Sequence, residues 1–362
     1  MHRRPKRKSH HQTIVSMKKI TGILLLMLMI ACSKPAQTLF VGTYSDGFFA
    51  YDYPSGELIA KAPMPNPSFL ALDGNRIYAV SEMPDSSASV WAWRYGGNGF
   101  DFLGKQLTGL PSRGEDPCHV ATDGSLLAVS NYSGGTLGLY RLKDDGSIGP
   151  LDSLVVSGTG GPDLGRQGSP HVHCAAFTPD GKHLLFSEFS ADALGMIDIR
   201  GKVSNYRIAA QLPADFGPRH LLFNSAGDRL YVIGELSGDV AVFSYDSSRL
   251  TLLQIVKADE ADARGAADIH LSPDGKFLYA SLRLKNDGIA IFRVQPDGSL
   301  EKCGYQLTGP HPRNFLVTEN QVLVACRDND SVEIYARNPK TGLLQDTERR
   351  ISVPKPVFVS LQ

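Results

Sequence analysis

Apolar residues at 221–223 and 230–233 flank a turn, Ser225-Ala226-Gly227-Asp228. Short apolar runs bounded by turn residues read as a tight β-hairpin. The pattern returns in "PSFLALDGNRIYAVSE" from Pro67, "PCHVATDGSLLAVSNY" from Pro117 and "HVHCAAFTPDGKHLLFSEF" from His171. It returns again in "AADIHLSPDGKFLYASLR" from Ala266 and "PRNFLVTENQVLVACRD" from Pro312. The turn glycines are Gly74, Gly124, Gly181, Gly227 and Gly275, with Glu319-Asn320 in the sixth place. They recur about every 45 to 57 residues. Each hairpin is followed by a third apolar run and a looser fourth, and helical periodicity is almost absent. Four strands per unit at this period predict an all-β chain folded as a β-propeller. Six units cover about residues 66–350, and the chain ends supply a seventh. "TLFVGTYSDGFFAYDYPSGEL" from Thr38 gives its later strands, and "KPVFVSLQ" from Lys355 its closing strand. The expected fold is one domain, residues 38–362, of seven blades with four antiparallel strands each. Its N- and C-terminal strands share one blade, which leaves no open edge.

The same alignment predicts which polar residues meet. A hairpin returns the chain to its start, so the residue opening the first strand and the residue closing the second share one rim. In a propeller the first strand of each blade lines the central channel. The leading rim positions are Ser68, Cys118, His173, Arg219, Ala267 and Arg313. The trailing positions are Glu82, Tyr132, Phe189, Glu235, Arg283 and Arg327. A slip of one residue brings in Asn131, Glu188 and Asp268, and His171 lies two residues ahead of His173. Charges inside a β-rich frame are costly unless exposed or paired. Arg219, Arg283, Arg313 and Arg327 converging on one rim imply an anionic ligand, because guanidinium forks take carboxylate or phosphate bidentately. A histidine and a glutamate beside them supply proton transfer. Blander readings compete. Arg219 with Glu235 also reads as a cross-strand pair that fixes register. His171 and His173 also read as turn hydrogen bonding, and Arg283 and Arg327 as inter-blade salt bridges. The pair His171 and His173 has no third ligand at metal-binding spacing, so neither metal nor cofactor is expected.

The first part of the chain reads as a leader rather than fold. Met17-Lys18-Lys19 precedes an apolar run from Ile20 to Ile30, and Ala31-Cys32 follows. A basic start, a short apolar run and a small residue before the cut make an export signal, residues 1–31. The run is too short for a transmembrane helix. Cys32 after Ala31 resembles the bacterial lipoprotein pattern, with Cys32 lipidated and residues 32–37 a short linker. Ordinary cleavage near Ala31 is the alternative. Met17 is the expected start, with residues 1–16 an extension of the reading frame. The leader carries seven Lys or Arg and no acid. The mature chain therefore keeps 37 − 7 = 30 basic against 37 acidic residues, a formal charge of −7. That balance argues against nucleic acid as a partner. The expected location is the cell envelope, with the membrane reached only through the anchor at Cys32, and the expected state is a monomer. Beyond Cys32 there are Cys118, Cys174, Cys303 and Cys326, with no C-x-x-C pair. Buried free thiols are expected rather than a disulfide.

The chain resembles the seven-bladed propeller lactonases, which include bacterial 6-phosphogluconolactonases and fungal 3-carboxymuconate-lactonising enzymes. The matching stretches are "LFVGTYSDG", "NPSFLAL", "AVSNYSGGTLGLYRL", "RQGSPHVHCAAFTPDGKHLLFSEFSADAL", "FGPRHLLFNSAGDRLYVIGELSGDVAVFSYD" and "IHLSPDGKFLYASLR". The resemblance implies hydrolysis of a sugar-acid lactone, an anionic small molecule, by general acid/base chemistry. It implies a catalytic group of His171, Arg219, Glu235 and Arg283, with Arg283 the least secure match. His173, Asn131, Glu82, Arg313 and Arg327 are the expected substrate-binding residues beside them. On this reading the arginines grip the anion and polarise the carbonyl, and His171 or Glu235 activates water. The alternatives are a lactonising enzyme of the fungal type and a non-catalytic envelope propeller that binds a ligand. A cytoplasmic phosphosugar substrate conflicts with an export signal, which points either to a different lactone met in the envelope or to a site that has drifted.

Overall fold

A computed structural model describes residues 1–2, 37–108, 114–201 and 206–362. Residues 3–36, which hold Cys32 and nearly all of the leader and linker, lie outside the described residues. One compact unit spans Thr38–Gln362. It contains seven sheets, each of four antiparallel strands. Six sheets use consecutive strands, as the hairpin pattern requires. Blade one is built from both chain ends. Its inner strand is Pro356–Leu361, which pairs with Gln37–Thr43 in the register Leu39↔Leu361 and Val41↔Val359. Backbone bonds of 2.8 and 3.0 Å between Thr38 and Gln362 complete the closure.

The second strands are buried on both faces, so each blade buries side chains against both neighbours. Seven apolar clusters result, one between each pair of adjacent blades. Leu194 and Met196 meet Val232 and Phe243 between blades four and five. Val41 and Tyr51 meet Leu323 and Ile334 between blades seven and one. The core is therefore distributed around the ring, and the ring axis is free for polar groups.

At one rim the backbone repeats a single bond. The amide of each trailing residue donates to the carbonyl two residues before the leading position. The pairs are Glu82 to Asn66, Tyr132 to Asp116, Phe189 to His171, Glu235 to Gly217, Arg283 to Gly265 and Arg327 to His311, at 2.8–3.2 Å. Blade one adds Tyr44 to Lys355 at 3.0 Å. The turn glycines thus aligned the rim positions in register. The chain enters this rim steeply: Asn66, Asp116, Gly217, His311 and Lys355 take positive φ of 42–59°. At Gly217 a side chain would also strike Leu236, 2.6 Å from an added Cβ.

The inner strands carry a feature that period-two reading does not reveal. Their register slips just inside the rim, at Pro117/His119, Val172/Ala175, Pro218/Leu221, Ala266/Ile269 and Pro312/Asn314. A bulge of this kind re-aims side chains. Consecutive residues such as Arg219 and His220 then both engage partners on the channel side.

Candidate active site

Blade five supplies the centre of the site. Arg219 opens its inner strand Pro218–Phe223, and Glu235 follows its second strand Arg229–Gly234. Arg219 Nε donates to Glu235 Oε2 at 2.8 Å. Two further arginines reach the other carboxylate oxygen. Arg166 Nη2 donates to Glu235 Oε1 at 2.8 Å, and Arg283 Nη2 lies 3.4 Å from the same atom. Burial alone would raise the Glu235 pKa, but Arg283, Arg219 and Arg166 outweigh it and hold the group at about 2. Glu235 is therefore a fixed carboxylate that gathers three guanidiniums.

A cavity of about 410 Å³ opens beside this cluster. Its wall includes Tyr44, Glu82, Tyr132, Arg166, His173, Glu235 and Arg313. On the side away from Glu235, Arg313 stacks over the Tyr44 ring at 5.2 Å and lies 3.9 Å from Glu82 Oε1. Tyr44 Oη donates to the same Glu82 oxygen at 2.8 Å. Glu82 Oε2 is buried with no hydrogen-bond partner among the described residues.

The two histidines of "PHVH" have different environments. His173 lines the cavity and is 4% exposed, and its Nδ1 has no hydrogen-bond partner. Burial, together with Arg219 and neighbouring imidazoles, pushes its pKa well below the usual histidine value, so the ring is neutral. His171 is engaged on both nitrogens. Nδ1 lies 2.8 Å from the Tyr132 carbonyl oxygen, and Nε2 lies 3.3 Å from Ser169 Oγ. Its ring stacks on Tyr132 with centroids 4.2 Å apart and planes 4° apart. His171 is not part of the cavity wall. Of the pair, it is His173 and not His171 that lines the cavity.

The structure therefore brings together Glu235, Arg219, Arg283, Arg313, Glu82 and His173. It does not bring Asn131 or Arg327 to the cavity wall. Asn131 closes a second strand one residue short of the rim, and its fully buried amide donates to the Thr108 carbonyl and Thr136 Oγ1 at 3.1 and 3.0 Å. Arg327 turns outward on a one-turn 3-10 helix, Arg327–Asn329, and pairs with Asp328 at 2.6 Å. An adjacent acid at the turn captures it before it reaches the ring axis. The cross-strand pairing of Arg219 with Glu235 is real, but it is one spoke of a larger cluster.

Two residues escaped the sequence alignment. Tyr44 fills the trailing position of blade one, whose hairpin is split between the chain ends and has no turn glycine to align. Arg166 comes from the loop before blade four, on the one-turn helix Leu164–Gln167. Its stretch "RQGSPHVH" had marked the region. Asp163 caps this turn through the amides of Gly165 and Arg166. Arg264 then binds Asp163 at 2.7 Å and Asp215 at 2.5 Å, tying the loops ahead of blades four, five and six. All four described cysteines are free, and Cys118, Cys174 and Cys326 are buried. Among the described residues no group of three or more His, Cys, Asp or Glu is placed to hold a metal ion.

Comparison with known proteins agrees with the fold. Residues 38–361 match the family model described as Lactonase, 7-bladed beta-propeller. A 6-phosphogluconolactonase of Formosa agariphila is 31% identical over 342 residues, 87% of this chain and 96% of that protein. A solved structure from Bacteroides uniformis is 42% identical with a TM-score of 0.86, covering 91% of this chain and all of that one. The periplasmic gluconolactonase of Pseudomonas aeruginosa is 26% identical with a TM-score of 0.81, covering 90% of this chain and 99% of that one. The chain belongs to the seven-bladed β-propeller lactonase family.

Proposed function

We propose that the protein hydrolyses the lactone of a polyhydroxylated sugar acid in the cavity bounded by Glu235, Arg166, His173, Arg313 and Glu82. One observation carries the reading. A buried, neutral imidazole lines a cavity whose cations are paired with carboxylates. Water attacks the lactone carbonyl and gives a proton to the His173 imidazole. Charge grows on the carbonyl oxygen, where preorganised Arg166 and Arg313 stabilise it. Collapse breaks the ring C–O bond, and the imidazolium returns the proton to the departing alkoxide. The product is an open hydroxy-carboxylate, and the step needs neither a metal nor a covalent intermediate. Glu235, held at about pKa 2 by three guanidiniums, lies far from the range in which a general base works best. Its role is to anchor the arginines. Glu82 Oε2 accepts a substrate hydroxyl.

The leader pattern supports export and a lipid anchor at Cys32 in the envelope, where free sugar-acid lactones rather than cytoplasmic phosphosugars are at hand. The test is hydrolysis of gluconolactone, galactonolactone and 6-phosphogluconolactone by the purified chain, with spontaneous opening subtracted and His173→Ala as control. Rates above control on a free lactone support the reading. A rate confined to the phosphorylated member refutes the substrate assignment, and no rate on any member refutes the hydrolase assignment for these substrates.

A further inference from the structure

Directly inside the rim, beneath the cavity, lies a set of buried titratable groups that the proposed chemistry does not use. Asp268 is 3% exposed. Its carboxylate receives His220 Nδ1 at 2.6 Å, His270 Nε2 at 2.9 Å, Asn314 Nδ2 at 2.5 Å and the Ile269 amide at 2.9 Å. A carboxylate only accepts, so His220 carries its proton on Nδ1. Its Nε2 is then a lone pair, and it lies 3.3 Å from Arg219 Nη1. Rings of His173, His119 and Phe69 pack around His220 with centroids 5.3, 5.7 and 5.9 Å away, which fixes its plane. Burial and the neighbouring Arg219 hold the His220 pKa down at about 4, so the acceptor nitrogen stays unprotonated. Asp268 is balanced from its far side by His270, whose pKa it raises against the effect of burial.

Arg219 is thereby held from two directions. Nε is bound by Glu235, and Nη1 by His220 and by the Ala267 carbonyl. Nη2 has no protein hydrogen-bond partner among the described residues. We propose that Asp268 and His220 are positioning residues, an aspartate–imidazole brace that sets the angle of the Arg219 guanidinium and, through it, the carboxylate of Glu235. The brace joins blade six to blade five, and Asn314 extends it to blade seven.

The proposal rests on the lactonase reading for its kinetic test. His220→Gln preserves both bonds, because the amide donates to Asp268 while its oxygen accepts from Arg219. His220→Leu preserves volume and loses both. Misplacing a catalytic cation by about 1 Å costs on the order of 100-fold in rate. His220→Leu and Asp268→Asn should therefore lower kcat/KM of the folded protein by about that factor, mostly through kcat, and His220→Gln should restore most of it. Melting temperatures are recorded for each. If all three variants lose stability but keep the parent kcat/KM, the residues are structural and the proposal fails. Nitrogen-15 spectra of histidine-labelled parent protein decide the brace independently of turnover. Nδ1–H with a hydrogen-bonded, unprotonated Nε2 at His220 supports it, and Nε2–H overturns it. A parent chain inactive on every lactone defeats the lactonase reading, and the spectra still decide the brace.

Discussion

Glu235→Gln tests the electrostatic account most directly. The substitution keeps the shape of the side chain and removes its charge. Arg219, Arg166 and Arg283 then converge without a counter-ion on a group 8% exposed. The linkage argument gives the magnitude. Glu235 titrates at about 2 in the folded chain against a usual value of 4.5. A lowered acid pKa stabilises the fold above the unfolded value and loses that stabilisation as pH falls through the folded value. A depression of this size corresponds to about 3 kcal/mol, at the low edge of the roughly 3–5 kcal/mol expected when a buried ion pair loses one partner. For a folded unit spanning Thr38–Gln362 this lowers the melting temperature by about 4–7 °C near pH 7. Urea denaturation of parent and variant should differ by a constant amount from about pH 7 to about pH 5. Below that the gap should close by about 1.4 kcal/mol per pH unit as the parent carboxylate protonates. A gap that does not change with pH, or a variant that melts with the parent, would refute the three-arginine anchor.

His173→Ala should lower lactone hydrolysis by about 100- to 10,000-fold, whereas His171→Ala should retain most turnover. Steady-state rates on the preferred lactone decide between the two histidines. Arg166→Ala removes a partly exposed cation from the cavity wall, so it should fold normally and lower kcat/KM by roughly 10- to 100-fold, mostly through kcat. Deleting residues 356–362 opens blade one and exposes partners of Val357, Phe358 and Val359. At about 1.5–3 kcal/mol per buried apolar side chain, the truncated chain should lose its cooperative thermal transition by circular dichroism.

The fold was legible because every blade repeats one local signal, two apolar runs about a turn, and the rim alignment followed from those turns alone. Glu82, His173, Arg219, Glu235, Arg283 and Arg313 meet as that alignment required. Its misses have separate physical causes. Tyr44 belongs to a hairpin assembled from both chain ends, with its amide bonded to Lys355, 311 positions away, so no local turn marks it. Arg166 arrives on an inter-blade loop, whose path is set by the tertiary bonds of Arg264 and by Gln167 to Phe189 and Asp192. Arg327 is diverted by Asp328, a contact that residue type alone does not rank above the ring. His171 and His173 differ only in what surrounds them, and burial and partners are invisible to spacing.

The register slips explain why the site has two levels. An uninterrupted strand would present every second residue to the channel, and Arg219 and His220 would face opposite sides. The slip at Pro218/Leu221 lets both serve the channel side. Equivalent slips let His173 reach the cavity while Cys174 meets His119 below, at 3.4 Å. The upper level holds groups that a substrate can touch, and the lower level holds groups that orient them. Ala267 shows the division: its small side chain leaves its carbonyl to bind Arg219, and Asp268 beside it braces His220. Loops then add what the repeat cannot, above all Arg166. Because loops change more freely than the strands that support them, a change in substrate within this architecture should come first from the loop carrying Arg166. The brace and the carboxylate anchor should persist beneath it.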